Sequence, residues 1–433
     1  MSASFRQWGI ILVILCGCSQ FQVEPTPAAK VTALPVQQVT QLLTPTSIPT
    51  VEATPEEAQS LTLWIPDVLM PTTSGEGVTD ILNEQIAAFA TSENGVPVEV
   101  RRKRVRDAGG ILQTLRSARD VAPSVVPDLT LMRREDLLSA AQASAILPLE
   151  GIVPTAMIGN LYPAALKLGQ HDGQLYGLPY SLEVEHIIYN ADEVTTLSPR
   201  FSSYLQDATA LLFPAQRDNS LSTVFLVQYM AAGGAISDTG SLELNETALL
   251  ETLTFYEEAV ARGLITDEVL DYARALEYRP LLASGDYTTA VVGSQLYLEL
   301  VNESGEIPVG LIPTSSGEAL TGLDSWMWVM STTDPSRQAV VADFLDWMME
   351  TERQARYIRS LYMIPSQQSA VRQAYDGEYL AFISELLANP NLPATNAANG
   401  AVARALQTAF VSVISGEQTA KEATQSVVDQ VSS

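Results

Sequence analysis

The sequence predicts an α/β fold in two lobes, and three observations carry that expectation. The chain has 433 residues, 46% of them hydrophobic, more apolar material than one core ordinarily serves. Between residues 61 and 132 the pattern switches between a period of two and a helical stripe. That order of strand, helix, strand, helix, strand builds crossover units and a mainly parallel sheet. The stretch 173–190, "GQLYGLPYSLEVEHIIYN", opens on an apolar turn with Gly177 and Pro179 and then alternates apolar and polar residues. It reads as a strand entered through a bend, able to carry the chain from one lobe into another.

Taken in order, residues 1–18 place Arg6 before an apolar run that ends at Leu15 and gives way to small residues, the layout of a secretory signal peptide. The run is too short to span a bilayer. From about 21 to 60 the sequence is rich in Pro, Thr, Ala, Val and Gln and lacks a period, as in "LLTPTSIPT". Such a tract favours extended conformations, so a tether is expected, with docking onto the folded part as the alternative.

"SLTLWIP" (60–66) alternates as a strand, and 81–89 carries Ile81, Leu82, Ile86 and Phe89 as a helix stripe. "PVEVRRKRV" reads as a second strand, 111–119 as a helix and "PDLTLM" (127–132) as a third strand. In open sheets of this kind ligands sit beyond the carboxyl ends of the strands. After the crossing, "FSSYLQDATALLF" and "TVFLVQYMAAGGAI" read as helices. "ALLETLTFYEEAVARGLI" is amphipathic, with Leu249, Leu253, Tyr256 and Val260 on one face and Gly263 as a stop. "YRPLLASGDYTTAVVGSQ" holds a helix ended by Gly285 and a strand ended by Gly293. "DPSRQAVVADFLDWMM" is a helix capped by Asp334, with Pro335 in its first turn and Val341, Phe344, Leu345 and Met348 on its apolar face. Near the end, Thr419 and Glu422 are spaced as a capping box.

Composition narrows the function. A formal charge of -26 repels phosphate backbones and anionic headgroups, so nucleic acid is not an expected partner. The only cysteines are Cys16 and Cys18, which leaves the rest of the chain without a disulfide or a thiolate metal site. His171 and His186 lie on different elements, and each reads as a surface or packing residue. No phosphate-cradling glycine loop is present, and no pair of the 50 acidic residues is singled out for glycosidase chemistry. No catalytic group, metal or cofactor is expected.

"YGLPY" followed by Glu183 and "YN" resembles the first lobe crossing of the extracellular solute-binding proteins of ABC importers, especially the carbohydrate-binding family 1. The order "AAGG", "GLI", "ASGDYTTAVVGS", "IPVGLIPTSSG", "GLDSWMWVM" extends the likeness over residues 61–431. The resemblance implies a two-lobed periplasmic-binding-protein-like fold of type II, each lobe a mixed sheet flanked by helices, joined by a hinge with crossings near Leu182, Gln295 and Ser331. It implies lobe 1 from 60–181 and 306–332, and lobe 2 from 182–305 and 333–433. "LCGC" is similar to the lipobox of bacterial lipoproteins, which makes 1–17 the signal peptide, Cys18 the lipid-bearing first residue and 18–59 the tether. The alternative is a plain secretory signal with both cysteines incidental. The implied function is capture of a solute, a carbohydrate before others, by a monomer anchored on the extracytoplasmic side that delivers it to an ABC permease. A solute-sensing lipoprotein, a binder of an anionic solute such as a sugar phosphate, and a secreted hydrolase are the other readings.

Sugars offer hydroxyls and an apolar ring face, so their recognition combines aromatic platforms with carboxylate, amide and guanidinium groups. At the implied contact positions Trp64 could stack on a ring or fill the core, and Asp67 follows it in the loop. Tyr180 and Glu183 sit at the first crossing, Ser294 and Gln295 at the second. "GLDSW" offers Asp324, Ser325 and Trp326. Trp326 and Trp328 alternate on a strand and face the same way, and Trp326 is the one assigned to the cleft. Tyr362 is the candidate from the second lobe. "RRED" departs from the family, whose sugar-binding members commonly show an aromatic, Asp or Asn there. Arg133 and Arg134 could clamp an anion, or be neutralised by Glu135 and Asp136. The basic run 101–106 reads as the exposed end of a strand.

Overall fold

The computed structural model describes residues 60–71, 77–106, 109–122, 125–216, 220–237 and 240–432. The expected signal peptide, Cys18 and the tether lie outside them.

Nine strands form the main sheet: β1 (Leu61–Pro66), β2 (Val98–Lys103), β3 (Leu129–Met132), β4 (Gly177–Tyr189), β5 (Leu211–Leu212), β6 (Thr289–Gly293), β7 (Val309–Gly310), β8 (Leu323–Met330) and β9 (Ile364–Pro365). Their order is β2-β1-β3-β8-β4-β6-β5, with β7 and β9 also pairing β4. β1 runs parallel to β2 and β3, as the crossover pattern requires, through helices α1 (Val78–Ala90) and α2 (Ile111–Val121). The remaining pairs with β4 and β8 are antiparallel, so the sheet is mixed.

β4 is the spine. Its first half pairs with β8 from Gly177↔Val329 to Val184↔Leu323, and its second half pairs with β6 from Glu185↔Gly293 to Tyr189↔Thr289. The strand at 177–189 is therefore shared by both lobes. A bulge between Trp326 and Met327 breaks its register with β8.

Two large apolar clusters lie on opposite faces of β1, and the second runs on past β4 through Leu182, Val184 and Ile187. The first gathers Leu61, Leu63 and Ile65 of β1, Phe89 of α1, Trp328 of β8, and Phe344, Met348 and Tyr357 of the helices at 335–360. The second gathers Phe213, Phe225, Tyr256 and Phe410 with the helices that carry them. Besides α3 (Arg134–Gln142), the helices used below are α4 (Thr223–Ala231), α5 (Glu246–Ala261), α6 (Ser294–Ser304), α7 (Pro335–Met348), α8 (Thr351–Ser360), α9 (Gly377–Ala388), α10 (Ala401–Ile414) and α11 (Ala420–Ser432).

Local chemistry places the ends where the sequence put them. Asp334 accepts the N–H of Ser336 at 2.9 Å at the start of α7, and all four expected apolar residues of that helix are buried. Thr419 N–H donates to Glu422 at 3.0 Å while Thr419 Oγ1 accepts from Glu422 N–H at 3.3 Å, closing the capping box before α11. The expected helix at 201–213 stops at Gln206. The backbone turns at Ala208, whose φ is 52°, and Leu211–Leu212 become an edge strand instead.

Helices α7 and α8 fall in the range expected for the second lobe, yet they pack with β1, β8 and α1. Asp128, 3% exposed, holds them there: its carboxylate accepts the N–H of Thr62 at 2.8 Å and takes Arg337 Nε at 2.6 Å on its other oxygen. Arg337 also donates to the carbonyl of Ser60 at 3.0 Å, so one guanidinium joins α7 to the first strand and to the loop before β3.

Candidate functional site

The carboxyl ends of three parallel strands open into one cavity of about 1050 Å³. Asp67 and Val68 follow β1, Arg104 to Arg106 follow β2, and Arg133, Glu135 and Asp136 follow β3, while Asp324 and Trp326 enter from β8. The facing wall comes from distant parts of the chain: Ser220, Arg274, Gln295, Asn396 and Asn399. This is the position that open α/β sheets reserve for ligands.

Arg133 organises the floor. It precedes α3 in extended backbone, and its guanidinium donates to Asp324 and, at 3.1 Å, to Glu183 Oε2. Its Cζ lies 5.0 Å from the centroid of the Trp326 ring. Burial opposes the charge of Arg133, and the attraction of Asp324 and Glu183 outweighs it, so the pKa rises above the usual guanidinium value. Asp324 also accepts the N–H of Ser325 at 2.8 Å. Asp136, nearby on α3, has its pKa raised by burial and by the adjacent Glu135. Gln295, at the start of α6, donates to the carbonyl of Leu361 at 3.3 Å.

Five of the expected site residues line this cavity, Asp67, Arg133, Gln295, Asp324 and Trp326, and Glu183 is joined to it through Arg133. Trp326 is 4% exposed and lines the cavity with the Arg133 guanidinium over its ring. Trp328, two residues on, is wholly buried against Tyr180 and Phe344.

The other six candidates lie elsewhere. Trp64 is fully buried on the face of β1 opposite Leu63 and Ile65, clustered with Ile111 and Leu115 of α2 under the Lys103 ammonium. A parallel sheet covered on both faces buries both sets of side chains, and this Trp is one of them. Tyr180 is fully buried between Trp328 and Tyr357, because its place in β4 turns it into the first apolar cluster. Ser294 is buried and accepts the N–H of Val184 at 3.3 Å, tying α6 to β4. Ser325 is buried on β8, where its hydroxyl donates to the carbonyl of Trp326 at 3.2 Å. Arg134 points away from its neighbour and donates to the carbonyls of Lys167 and Gln170, each at 3.1 Å, and to that of Leu168. Tyr362 lines a different cavity.

Arg104, Arg106, Arg274, Asn396 and Asn399 were not singled out by sequence. For Arg104 and Arg106 a signal existed, since the rule that directs attention to the ends of β1 and β3 applies equally to β2. The sequence pattern reads them as the exposed end of a strand. The remaining three lie far along the chain in segments with no pairing pattern of their own. His186 is buried beside Tyr297, Tyr379 and Phe382, a packing residue, and among the described residues no cluster of three or more His, Cys, Asp or Glu could hold a metal ion.

Comparison with known proteins follows the same outline. The fold is that of solved two-lobed proteins of low identity. The sugar-binding protein MalE from the phytopathogen Xanthomonas citri superposes with a TM-score of 0.69 at 14% identity, covering 86% of this chain and 96% of that one. A maltose-binding protein from Listeria monocytogenes in complex with maltose gives 0.66 at 16% identity, covering 87% and 98%. The cyclic alpha-maltosyl-1,6-maltose binding protein from Arthrobacter globiformis gives 0.65 at 17% identity, covering 85% and 97%. No curated protein matches the sequence. The family description "Bacterial extracellular solute-binding protein" matches residues 84–383, well over half of the chain. A cleft at the strand ends, a shared spine strand and that match together identify the chain as a member of the bacterial extracellular solute-binding protein family, whose members bind solutes and are not enzymes.

Proposed function

We propose that the protein captures a carbohydrate in the cavity at the strand ends, closes its lobes over it, and passes it to an ABC permease while anchored to the membrane through Cys18. The observation that carries this reading is the composition of the cavity wall. Four guanidinium groups (Arg104, Arg106, Arg133, Arg274) face four carboxylates (Asp67, Glu135, Asp136, Asp324), with Asn396, Asn399 and Gln295 between them and Trp326 at the floor. Balanced charges present both donors and acceptors, which suits the hydroxyls of a neutral sugar, and the part of Trp326 that reaches the cavity offers its ring an apolar contact. The lobes would be 60–181 with 306–332, and 182–305 with 333–433, apart from the helices at 335–360 that pack on the first. Because the wall is drawn from both sides of β4, a solute touches all of it only when the lobes are closed, and binding shifts the hinge equilibrium by that difference in affinity.

Mass spectrometry of the solute carried through native purification tests the reading. A neutral mono- or oligosaccharide is the expected result. A phosphorylated or acidic compound in its place would move the assignment to an anionic solute held by the same arginines. Anchoring is tested separately: Cys18→Ser should release the protein from the membrane fraction into the medium or periplasm, and retention of that variant would refute the anchor.

A further inference from the structure

A second cavity of about 580 Å³ lies apart from the strand ends, between α6, the segment after α8 and the start of α9. Three consecutive residues form the partition between the two sites. The carbonyl of Leu361 holds the Gln295 side chain of the cleft, Tyr362 lines the second cavity, and Met363 lines the first.

Its wall is made of tyrosine rings. Tyr297 and Tyr379 have centroids 4.5 Å apart, and Tyr375 stands at 89° to Tyr379 at 5.8 Å. Two of the hydroxyls are spent on the backbone, Tyr297 Oη donating to the carbonyl of Ile307 at 3.2 Å and Tyr375 Oη to that of Met363 at 2.6 Å. Those bonds fix the two rings in place and use up their hydroxyl protons. Tyr379 Oη is buried on this wall and finds no hydrogen-bond partner among the described residues. Tyr362 joins the lining with φ at 57°, a left-handed backbone that a side chain of its size adopts at a cost and that recurs at ligand clamps.

Around these rings the rim carries Glu306, Asp376 and Glu378 against one guanidinium, Arg359. Behind them His186 packs edge-on to Tyr297 at 4.9 Å, and burial pushes its imidazole down to about 4, so at neutral pH it adds no positive charge. The volume suits a small molecule, four tyrosines line the wall, and the rim carries an excess of carboxylates.

We propose that this second cavity binds a small organic cation, a quaternary or protonated amine, with its charged head against the tyrosine rings and the Glu306, Asp376 and Glu378 carboxylates around it. The site is independent of what the strand-end cleft takes.

The test uses choline as probe and, as control, its uncharged tert-butyl analogue in which carbon replaces nitrogen. Both are titrated into the purified protein by calorimetry. The expected result is one choline per chain, with the uncharged analogue about tenfold weaker or more. Tyr362→Leu and the exposed change Glu378→Gln should each weaken choline about fivefold, while Trp326→Leu in the other cavity leaves it unchanged. Equal binding of choline and its uncharged analogue would overturn the proposal, as would loss of choline binding in Trp326→Leu with Tyr362→Leu unaffected. Absence of binding up to about 50 mM choline would overturn it as well. Glu378→Gln keeps the test decisive should Tyr362→Leu fold poorly, because that carboxylate is on the surface.

Discussion

Trp64 and Trp326 show how far a residue's type leaves its role undecided. Both follow strand patterns, and both were candidates to support a ring; the face each takes in its strand and the neighbours it meets separate them. Trp64→Ala should cost about 3–5 kcal/mol of stability with binding intact in whatever remains folded, as measured by denaturant unfolding. Trp326 is also buried in the first apolar cluster, so Trp326→Leu is the milder change; it should weaken solute binding roughly five- to tenfold and also lower the unfolding midpoint. His186 supplies a pH signature at the same scale. Burial lowers its pKa from 6.5 to about 4, so the stabilising effect of keeping it neutral is complete above the unfolded value and is lost as pH falls toward the folded one. Between pH 7 and pH 5 that loss is about 2 kcal/mol, and it should be absent from the pH dependence of His186→Phe in urea melts. Of the candidate site the sequence offered residue types: Glu183, expected at the first crossing, lies within β4, and Asp324 lies near the start of β8. Arg133, which joins them, departs from the family's pattern, and its pairing across 191 and 50 residues has no local trace.

Among the elements, periodicity was legible wherever one face meets a core. The helices α1 and α2 lie close to their expected places because each buries one apolar stripe, β1 and β3 are buried on both faces, and α7 buries all four of its expected residues. Which core an amphipathic helix serves is another matter. The apolar face of α7 is the same whichever sheet it meets, and the choice is made by Asp128, a single carboxylate more than 200 residues earlier, through Arg337. Asp128→Asn removes the charge from a group only 3% exposed while leaving the guanidinium in place, and should cost about 2–4 kcal/mol by chemical denaturation. Arg337→Met combined with Asp128→Asn should recover part of that loss, since the stranded charge is then gone. The misjudged helix at 207–213 failed for a related reason. Its Leu211–Leu212 pair gains strand hydrogen bonds only from β6, nearly 80 residues downstream.

For the molecule as a whole, the continuous sheet predicts that the two lobes lose structure together. Calorimetry should record one transition across residues 60–432, and two resolved transitions would mean that β4 does not couple the halves. Solute at a hundredfold its dissociation constant should add about 2.7 kcal/mol and raise the transition by roughly 3 °C. Small-angle scattering should show contraction in the same titration, because the cavity wall comes from both sides of the spine.

The pairing of β4 with β8 also fixes when the polypeptide can be finished. Residues 177–184 wait for 323–329, and the sheet they complete waits in turn for the helices at 335–360 to cover it. A ribosome that has delivered the first three hundred residues therefore holds the β1–β2–β3 and β4–β6 pairs without the strand that joins them, and with apolar faces still open. Such a nascent chain stays threadable until late in its synthesis, and a premature stop anywhere before residue 323 should yield a species that aggregates rather than a smaller soluble fragment.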